Sequence, residues 1–249
     1  MRPIWTSLSV PVGGGLISGM AIAAKALRPD IEVISVETTQ YPAVRRALNA
    51  QPSEAGGRTI ADGIAVGTTG AITLPIIRET VGDVVLVDDA VIEEAVVLLL
   101  DVGKTAAEGA GAAALAAVLD DRPRFSGRKI GIVLSGGNID PRVLALIIHL
   151  RLVRTGRRAR LQIQIPDRPG MLAEISSQIA EAGANIIEVH HERALSGLPV
   201  TAIDLFIVVE TRSSEHVDEL VGRLSTAGYA TCRMGSSLGS EIAKDSAEC

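Results

Sequence analysis

Short apolar runs alternate with helical patterns along the first part of the chain. The runs IEVISV (31–36), DVVLV (83–87) and KIGIVL (129–134) are rich in β-branched residues and apolar at nearly every position. This composition is typical of parallel strands that are buried on both faces. Between the runs, apolar residues recur at helical spacing over residues 16–27 and 88–100. The order predicts an α/β layer in which helices connect parallel strands.

A different pattern begins near residue 160. The segment LQIQI (161–165) alternates apolar and polar residues, as half-exposed strands do. The segments after it are a helical pattern (172–179), two strand patterns (184–191 and 200–210) joined through a turn at Ser196 and Gly197, a second helical pattern (217–224) and a last strand pattern (229–234). The order βαββαβ predicts a ferredoxin-like unit. We expect its helices to cover one face of the sheet and to leave an apolar face that needs a partner.

The stretch 151–160 between the two patterns contains five arginines. We interpret it as a solvated linker rather than a binding patch. The predicted domains are therefore a first domain over 1–152, an arginine-rich linker over 153–159, a second domain over 160–236 and a polar tail over 237–249.

Composition and charge exclude several function classes. Aromatic residues make up only 2% of the chain and the net charge is -5, which argues against base stacking and against a basic surface for nucleic acid. No apolar run is long enough for a membrane helix, and no signal peptide is recognisable. Two cysteines, Cys232 and Cys249, are too few for a disulfide framework. We therefore expect a cytoplasmic protein that binds neither nucleic acid nor membranes.

Two glycine-containing loops could bind a ligand at the carboxyl ends of the predicted strands, where ligands of parallel sheets bind. The first loop is Gly13-Gly14-Gly15, directly before a helical pattern. Its backbone N–H groups could approach an anion at the helix N-terminus, although a triple glycine could also be a plain tight turn. The second loop, residues 135–138 (SGGN), offers a hydroxyl and an amide.

Four segments together carry a family resemblance. VPVGGGLISG (10–19), TIADGIAV (59–66), TAAEGAGAAAL (105–115) and VLSGGNID (133–140) resemble, in this order, the pyridoxal-phosphate-dependent threonine dehydratases of fold type II. The resemblance covers residues 8–152 and implies an α/β fold, a partial three-layer parallel sheet of the tryptophan synthase β-like type. Pyridoxal phosphate is the implied cofactor. The implied cofactor-binding residues are Gly13, Gly14, Gly15 and Leu16 at the phosphate, Ser135 with Gly136 at the pyridine nitrogen, and Glu108 near the ring.

The implied reaction is the deamination of L-threonine to 2-oxobutanoate and ammonia, and of L-serine to pyruvate. A neutral hydroxyl, that of Ser135, at the pyridine nitrogen favours β-elimination over other fates of the substrate carbanion. The phosphate loop of this family usually has four glycines, whereas this chain has three.

The larger departure from the family concerns lysine. The family's Schiff-base lysine, on a Ser-Phe-Lys motif upstream of the glycine loop, is absent here. The lysines present are Lys25, Lys104, Lys129 and Lys244, and Lys104 is nearest to the predicted site, although its family counterpart does not form the imine. We therefore assign no catalytic residue and expect the chain, as the C-terminal part of such an enzyme, to be inactive alone.

No metal site is predicted. Some family members bind a divalent cation through carboxylates after the second strand, and Glu37 could match the first ligand. Tyr41 and Ala43 stand where further oxygen ligands would be expected. In the second domain, His190 and His191 are adjacent on a predicted strand and therefore point to opposite faces.

The loop DRPGML (167–172) followed by GANIIEV (183–189) resembles the ACT regulatory domain. In that family, paired domains bind an amino acid at their interface, which implies a homo-oligomer and isoleucine, valine or threonine as ligand. The implied effector-binding residues are Asp167, Arg168, Gly170 and Asn185.

Two functional hypotheses remain. In the first, the chain is a threonine dehydratase by descent whose activity is regulated by an amino acid and depends on the missing portion. In the second, it is a non-catalytic, amino-acid-binding ACT protein on a remnant lyase scaffold.

Overall fold

The computed structural model of the chain describes residues 7–11, 14–52, 56–192 and 202–235. The chain divides into two compact units, Met1–Ile147 and Ile148–Cys249. The predicted turn at Ser196 and Gly197 and the polar tail 237–249 lie outside the described residues.

The first unit contains a four-stranded parallel sheet. Its strands are β1 (Ser7–Pro11), β2 (Glu32–Thr38), β3 (Asp83–Val87) and β4 (Ile130–Ile132), in the order β3-β2-β1-β4. All three strand pairs are parallel, as the apolar runs predicted. The helices that follow are α1 (Gly15–Leu27), α2 (Ala43–Leu48), α3 (Thr73–Thr80), α4 (Asp89–Asp101), α5 (Gly109–Asp120), α6 (Arg122–Phe125) and α7 (Pro141–Arg154), with a 3-10 turn at Asp62–Ile64.

Helices cover both faces of this sheet, because alternate residues of its strands point to opposite sides. On β2, Val33 packs with Ile17 of α1 and Ile77 of α3. Val36 belongs to the other core, with Ile92 of α4 and the buried alanines of α5. The first unit is thus a three-layer α/β arrangement, and its central strand is buried on both faces.

The second unit has the predicted βαββαβ order. Its elements are β5 (Arg158–Pro166), α8 (Met171–Glu181), β6 (Asn185–Glu192), β7 (Ala202–Glu210), α9 (Ser214–Thr226) and β8 (Thr231–Arg233). The strands form an antiparallel sheet in the order β6-β7-β5-β8. This is a ferredoxin-like arrangement, and its core lies between the sheet and the two helices.

The sheet face away from these helices, here called the open face, carries both polar and apolar residues. Directly opposite pairs on it are Arg160 with Val208 and Gln162 with Phe206. The alternation on β5 explains this result, because its apolar residues, such as Ile163, all point towards the helices. Ile187 of β6 is 37% exposed and Val208 of β7 is half-buried, so apolar surface remains beside the polar residues of β5, and the need for a partner stays a prediction.

The arginine-rich stretch 151–160 consists of the end of a helix and the start of a strand. Helix α7 continues to Arg154, and strand β5 begins at Arg158. Three residues separate the end of the helix at Arg154 from Arg158, whose pairing with Glu210 begins the strand. Within the described parts of the chain, no helix is both long and apolar enough to cross a membrane.

Candidate functional site

The predicted ligand loops of the first unit begin side by side. Strands β1 and β4 are parallel neighbours, with Ser9 opposite Ile132. The loop with Gly14 follows β1 and the loop with Gly136 follows β4, so both start at the carboxyl edge of the sheet. Gly13, the first glycine of the predicted phosphate loop, lies outside the described residues.

Gly14 and Gly15 form the N-terminus of helix α1. Gly14 has a φ of 65°, a left-handed conformation that side chains rarely adopt. Leu16, in the first turn of α1, is 39% exposed, so its predicted contribution is its backbone N–H. The first N–H groups of a 13-residue helix are available to an anion here.

A small cavity of about 200 Å³ lies against this helix N-terminus. A Cβ atom on Gly14 would lie 3.5 Å from the Oγ1 atom of Thr73. Threonine hydroxyls and helix N–H groups are both donors that suit an anion. The sequence analysis missed the threonines, although the stretch GTTG (67–70) carries the Gly and Thr signal of a ligand loop. The cavity is lined by Gly14 and Gly15, by Glu37, and by four residues of the following loop and helix: Thr68, Thr69, Gly70 and Thr73.

Glu37 also lines this cavity and is only 2% exposed. Its Oε1 accepts a hydrogen bond from the N–H of Val44 (2.8 Å), and its Oε2 accepts one from the N–H of Arg45 (3.0 Å). Burial raises the pKa of Glu37 above its ordinary value, although these two donors act in the opposite direction. Glu37 therefore caps the start of α2. Among the described residues, no group of three or more His, Cys, Asp or Glu side chains could hold a metal ion.

Glu108 and Gly136 are in direct contact. The N–H of Glu108 donates to the carbonyl of Gly136 (3.3 Å). Gly136 has a φ of 125°, a conformation that side chains rarely adopt, and a Cβ atom there would lie 2.2 Å from Oε1 of Glu108. A Cβ atom on Gly63 would lie 3.7 Å from the same oxygen. Three of the four segments that carry the family resemblance thus converge, and half-buried Ser135 directly precedes the contact.

Helix α5 is drawn against both neighbouring segments by its glycines. A Cβ atom on Gly109 would lie 2.3 Å from the carbonyl oxygen of Ile60. A Cβ atom on Gly111 would lie 2.4 Å from the carbonyl oxygen of Gly136. The EGAG sequence at the start of α5 is therefore required by close backbone packing, which fixes the position of the Glu108 carboxylate.

The described lysines are Lys25, Lys104 and Lys129. Lys25 is in the last turn of α1, at the opposite end from Gly14, and its Nζ donates to the carbonyl of Pro29 (3.2 Å). Lys129 directly precedes β4, at the amino edge of the sheet. Lys104 is exposed, with its Nζ 3.9 Å from Oδ1 of Asp101. Lys244 lies outside the described residues.

In the second unit, the loop after β5 borders a cavity of about 450 Å³. Asp167, Arg168 and Gly170 all line it, as expected for a common site. Gly170 has a φ of 92° and begins helix α8. His191 of β6 and the apolar residues Ile165, Leu172 and Ile203 line the same cavity.

The Arg168 side chain is held by a short chain of polar contacts. Its Nη2 lies 3.9 Å from Oε2 of Glu174 on helix α8. The Tyr229 hydroxyl donates to the other oxygen of Glu174, and this hydrogen bond raises the pKa of Tyr229. The loop is thereby connected to the segment that leads into β8.

Asn185 is not near this loop within one chain. It pairs with Glu210, which pairs with Arg158 at the start of β5. Pro166, which leads into the loop, pairs with Ala202 at the other end of the sheet. The sequence analysis grouped Asn185 with the loop through a family pattern that involves two domains, whereas in a single chain His191 takes the place beside the loop.

Two family models match the chain. The model described as pyridoxal-phosphate dependent enzyme matches residues 5–136, and the model of the ACT domain matches residues 159–225. The second match contains the whole DRPGML loop and both helices of the ferredoxin-like unit, except for the last residue of α9.

Two curated proteins are similar to the chain over most of its length. The chain is 40% identical to L-threonine ammonia-lyase of Geobacter sulfurreducens over 91% of this chain and 57% of that protein. It is 39% identical to L-threonine ammonia-lyase of Thermotoga maritima over 88% of this chain and 55% of that protein. The chain thus spans a little over half the length of these relatives.

Among solved structures, the chain is similar to a bacterial threonine deaminase from T.th., with a TM-score of 0.52, 38% identity and coverage of 55% of this chain and 51% of that chain. It is also similar to maize serine racemase, with a TM-score of 0.52, 36% identity and coverage of 61% and 49%.

Proposed function

Because this chain belongs to the family of pyridoxal-phosphate dependent enzymes and carries an ACT domain, we propose that it contains part of a lyase site for L-threonine together with an amino-acid-binding regulatory unit. The observation that carries this proposal is the carboxyl edge of the parallel sheet. There the Gly14 turn begins beside the loop in which Gly136 contacts Glu108.

The residues at this edge fit the phosphate part of the cofactor. The turn of Gly14 and Gly15 at the N-terminus of α1 and the hydroxyls of Thr68 and Thr69 line one cavity, and the N–H of Leu16 lies in the first turn of the same helix. The Thr73 hydroxyl, also at this cavity, donates to the carbonyl of Gly70 (3.3 Å). The hydroxyl of Ser135 would accompany the pyridine nitrogen. When bound, pyridoxal phosphate supplies an electron sink for negative charge that develops at the substrate Cα.

The implied reaction converts L-threonine to 2-oxobutanoate and ammonia, and L-serine to pyruvate. Similarity to two L-threonine ammonia-lyases supports threonine as the substrate. A lysine amine is needed to hold the cofactor covalently and to take the Cα proton. Lys25 lies at the far end of α1 from Gly14, Lys129 lies at the amino edge of the sheet, and Lys104 is exposed beside Asp101. We therefore propose that this chain alone does not catalyse the reaction.

The test is to mix the chain with pyridoxal phosphate, reduce with borohydride and map the modified peptides by mass spectrometry. We expect no site-specific covalent label and no formation of 2-oxobutanoate from threonine. The matched variant is Lys104→Gln, which we expect to behave like the wild-type chain. A stoichiometric label on one lysine, together with threonine-dependent 2-oxobutanoate, would contradict the proposal.

The second candidate function is amino-acid binding without catalysis. It is favoured by the cavity beside Gly170, because all residues that line this cavity belong to one unit. N–H groups at the start of α8 and the Arg168 guanidinium suit a carboxylate, and Leu172 and Ile203 suit a branched side chain. Isoleucine, valine and threonine are the proposed ligands.

Asn185 can take part in this site only in a homo-oligomer. It lies at the opposite end of the sheet from Gly170 in the same chain. We propose that a second copy supplies it through the ACT domain, so that a ligand that prefers the dimer would shift the assembly by mass action. Sedimentation of the full chain over a concentration series, with and without isoleucine, measures this shift.

Calorimetry with isoleucine, valine, threonine and serine tests the effector site. We expect Gly170→Ala and Asn185→Ala to weaken binding. The matched control is Gly228→Ala, because Gly228 has the same φ of 92° and the same open surroundings but lies after α9. Binding that survives both site substitutions would place the ligand elsewhere. Binding without any 2-oxo acid formation favours the second function over the first.

A further inference from the structure

A second cavity of the ACT unit lies on the open face of its sheet, where nothing above assigns a function. Its volume is about 430 Å³, within the range of small-molecule sites. It differs from the loop cavity beside Gly170, with which it shares no lining residue. Residues that line it include His149 and Val153 of helix α7, Arg158 and Arg160 of β5, Ile187 of β6 and Val208 of β7.

Arg158 offers donors to this cavity. Its Nη1 lies 2.7 Å from Nδ1 of His149. Because a guanidinium only donates, Nδ1 is the acceptor, and His149 does not neutralise the arginine. The Nε atom of Arg158 is buried and has no hydrogen-bond partner among the described residues. An anion beside this guanidinium would supply an acceptor that the protein itself does not.

Arg160 presents a second guanidinium. Its Cζ lies 5.1 Å from the centroid of the Phe206 ring, so one face of the guanidinium stacks on the ring. Stacking leaves the N–H groups at the edge of the guanidinium available to a carboxylate. The ring also holds the side chain in place, which reduces the entropy lost when a ligand binds.

Apolar side chains form the rest of the wall. Ile187 and Met234 are each 37% exposed, which is high for large apolar side chains, and Val153 and Val208 are half-buried. Apolar surface of this kind is stabilised when it is covered. The cavity therefore suits a ligand with an apolar part as well as a negative charge.

The charges disfavour a ligand with an ammonium group. Arg158, Arg160 and Arg233 line the cavity, and Glu188 is the acidic residue in its wall. The Oε2 atom of Glu188 lies 3.5 Å from Nε2 of His190. A positive group on the ligand would face an excess of like charge.

From this arrangement we propose that the open-face cavity binds a small carboxylate with a short apolar chain and no ammonium group. The guanidinium groups of Arg158 and Arg160 bind the carboxylate, and Val208, Ile187 and Met234 cover the chain. The class includes simple short-chain carboxylates and short 2-oxo acids, which share this chemistry.

The experiment is an NMR titration of the full ¹⁵N-labelled chain with butanoate, 2-oxobutanoate, 2-aminobutanoate, butanamide and inorganic phosphate. We expect butanoate and 2-oxobutanoate to shift amides of β5 and β7, and their relative affinity identifies the better member of the class. We expect 2-aminobutanoate, the uncharged butanamide and the purely ionic phosphate to bind more weakly at this face.

Three glutamine variants locate the ligand. Arg158→Gln and Arg160→Gln should each weaken butanoate binding at least about tenfold, because each removes a charged hydrogen-bond donor. Arg168→Gln, the matched control in the loop cavity, should leave the affinity unchanged. Arg160 is exposed, so its variant keeps the fold, and Arg158→Lys provides a second variant that retains the charge but loses the planar fork.

Several results would overturn the proposal. Loss of binding in Arg168→Gln alone would place the ligand in the loop cavity. Phosphate binding as tight as butanoate binding would reduce the site to a general anion site, and tighter binding of 2-aminobutanoate would identify an amino-acid site held by Glu188. If no carboxylate binds and Arg160→Gln instead changes the sedimentation coefficient, the open face is an interface between copies.

Discussion

The two units build their cores from different side chains and position their candidate sites differently. In the first unit, helix α5 is almost entirely small residues, and its glycines touch the backbones of Ile60 and Gly136. In the second unit, large side chains such as Ile163 and Leu205 fill the space between sheet and helices. Close backbone contact brings distant loops together at one sheet edge, whereas large aliphatic packing supports a site formed mainly by one loop.

The comparison shows that motifs from distant segments form one site only through long-range contacts. The site of the first unit needs loops after several strands, and each contributes one or two groups, such as Gly14 or Glu108. The site beside Gly170 takes most of its wall from the continuous segment 165–172. A site of the first kind depends on every contributing segment, whereas the second depends mainly on one.

The largest effect should follow from truncating the aliphatic core of the second unit. Ile163 is fully buried between the sheet and its helices. Ile163→Ala should lower the free energy of unfolding of this unit by about 2–5 kcal/mol, from lost burial and the cavity left behind. The control is Gln162→Ala on the open face, which should change it by less than about 0.5 kcal/mol. Equal losses in urea unfolding would mean that both sheet faces are packed.

A methyl group at the close backbone contact of α5 should be the next most costly change. Gly109→Ala would bring Cβ within 2.3 Å of the Ile60 carbonyl oxygen. We expect the first unit to lose about 3 kcal/mol, because a backbone has to move. Gly19→Ala is the matched control, since nothing lies within 4 Å of a Cβ there and alanine favours helices. Unfolding curves that show no difference between these variants would show that α5 does not depend on backbone contact.

A polar contact between the two helices of the second unit should have an intermediate effect. His216 is 3% exposed, and its Nε2 lies 2.8 Å from the carbonyl oxygen of Ala182, while its Nδ1 accepts from the N–H of Arg212 (3.2 Å). His216→Ala should cost about 1–3 kcal/mol, because it leaves both backbone groups without this partner. The exposed His190→Ala should cost far less, and thermal unfolding measures both.

The smallest effect is a pH dependence with opposite signs in the two units. Burial raises the pKa of Glu37 in the first unit, so the folded state holds its proton more tightly than the unfolded state does. Its contribution to stability is therefore present below pH 4.5 and is lost as pH rises through the raised pKa. Measured by urea unfolding, Glu37→Gln should gain stability relative to wild type as pH rises through this window.

Glu215 in the second unit should behave in the opposite way. A hydrogen bond from the Ser213 side chain lowers the pKa of Glu215. Its contribution is present above pH 4.5 and is lost as pH falls through the lowered pKa. Glu215→Gln should therefore be less stable than wild type at neutral pH and approach it in acid. Parallel slopes for the two glutamine variants would contradict the contrast.

The strand patterns could be predicted because each strand has a distinct hydrophobic period. Strand β3 begins and ends where the DVVLV run does, and β5 extends the LQIQI alternation by a few residues. Helices α2 and α3 were not predicted. Only Ala43 and Val44 of α2 and Ile77 of α3 are buried, so neither helix repeats its apolar residues often enough to show a helical period.

The candidate sites were harder to predict than the strands. Family motifs identified Glu108 and Gly136, and their contact depends on backbone conformation at Gly136 that no local pattern encodes. The threonines beside Gly14 come from a loop far along the chain, so periodicity could not connect them. The charged cavity at Arg158 and Arg160 was missed because a stretch rich in arginine was interpreted as a linker rather than as a strand.

The strand orders have a consequence for the time course of folding. Strand β1 pairs with β2, which begins 25 positions later, but its other neighbour β4 lies roughly 120 positions along the chain. The entropy of closing the longer loop costs about 1.4 kcal/mol more. In the second unit, β5 likewise gains its neighbour β8 only after the ribosome has synthesised the residues near 231. On the ribosome, each sheet therefore waits with one unpaired edge until its last strand emerges, and that interval is when the chain is most exposed to pairing with another molecule.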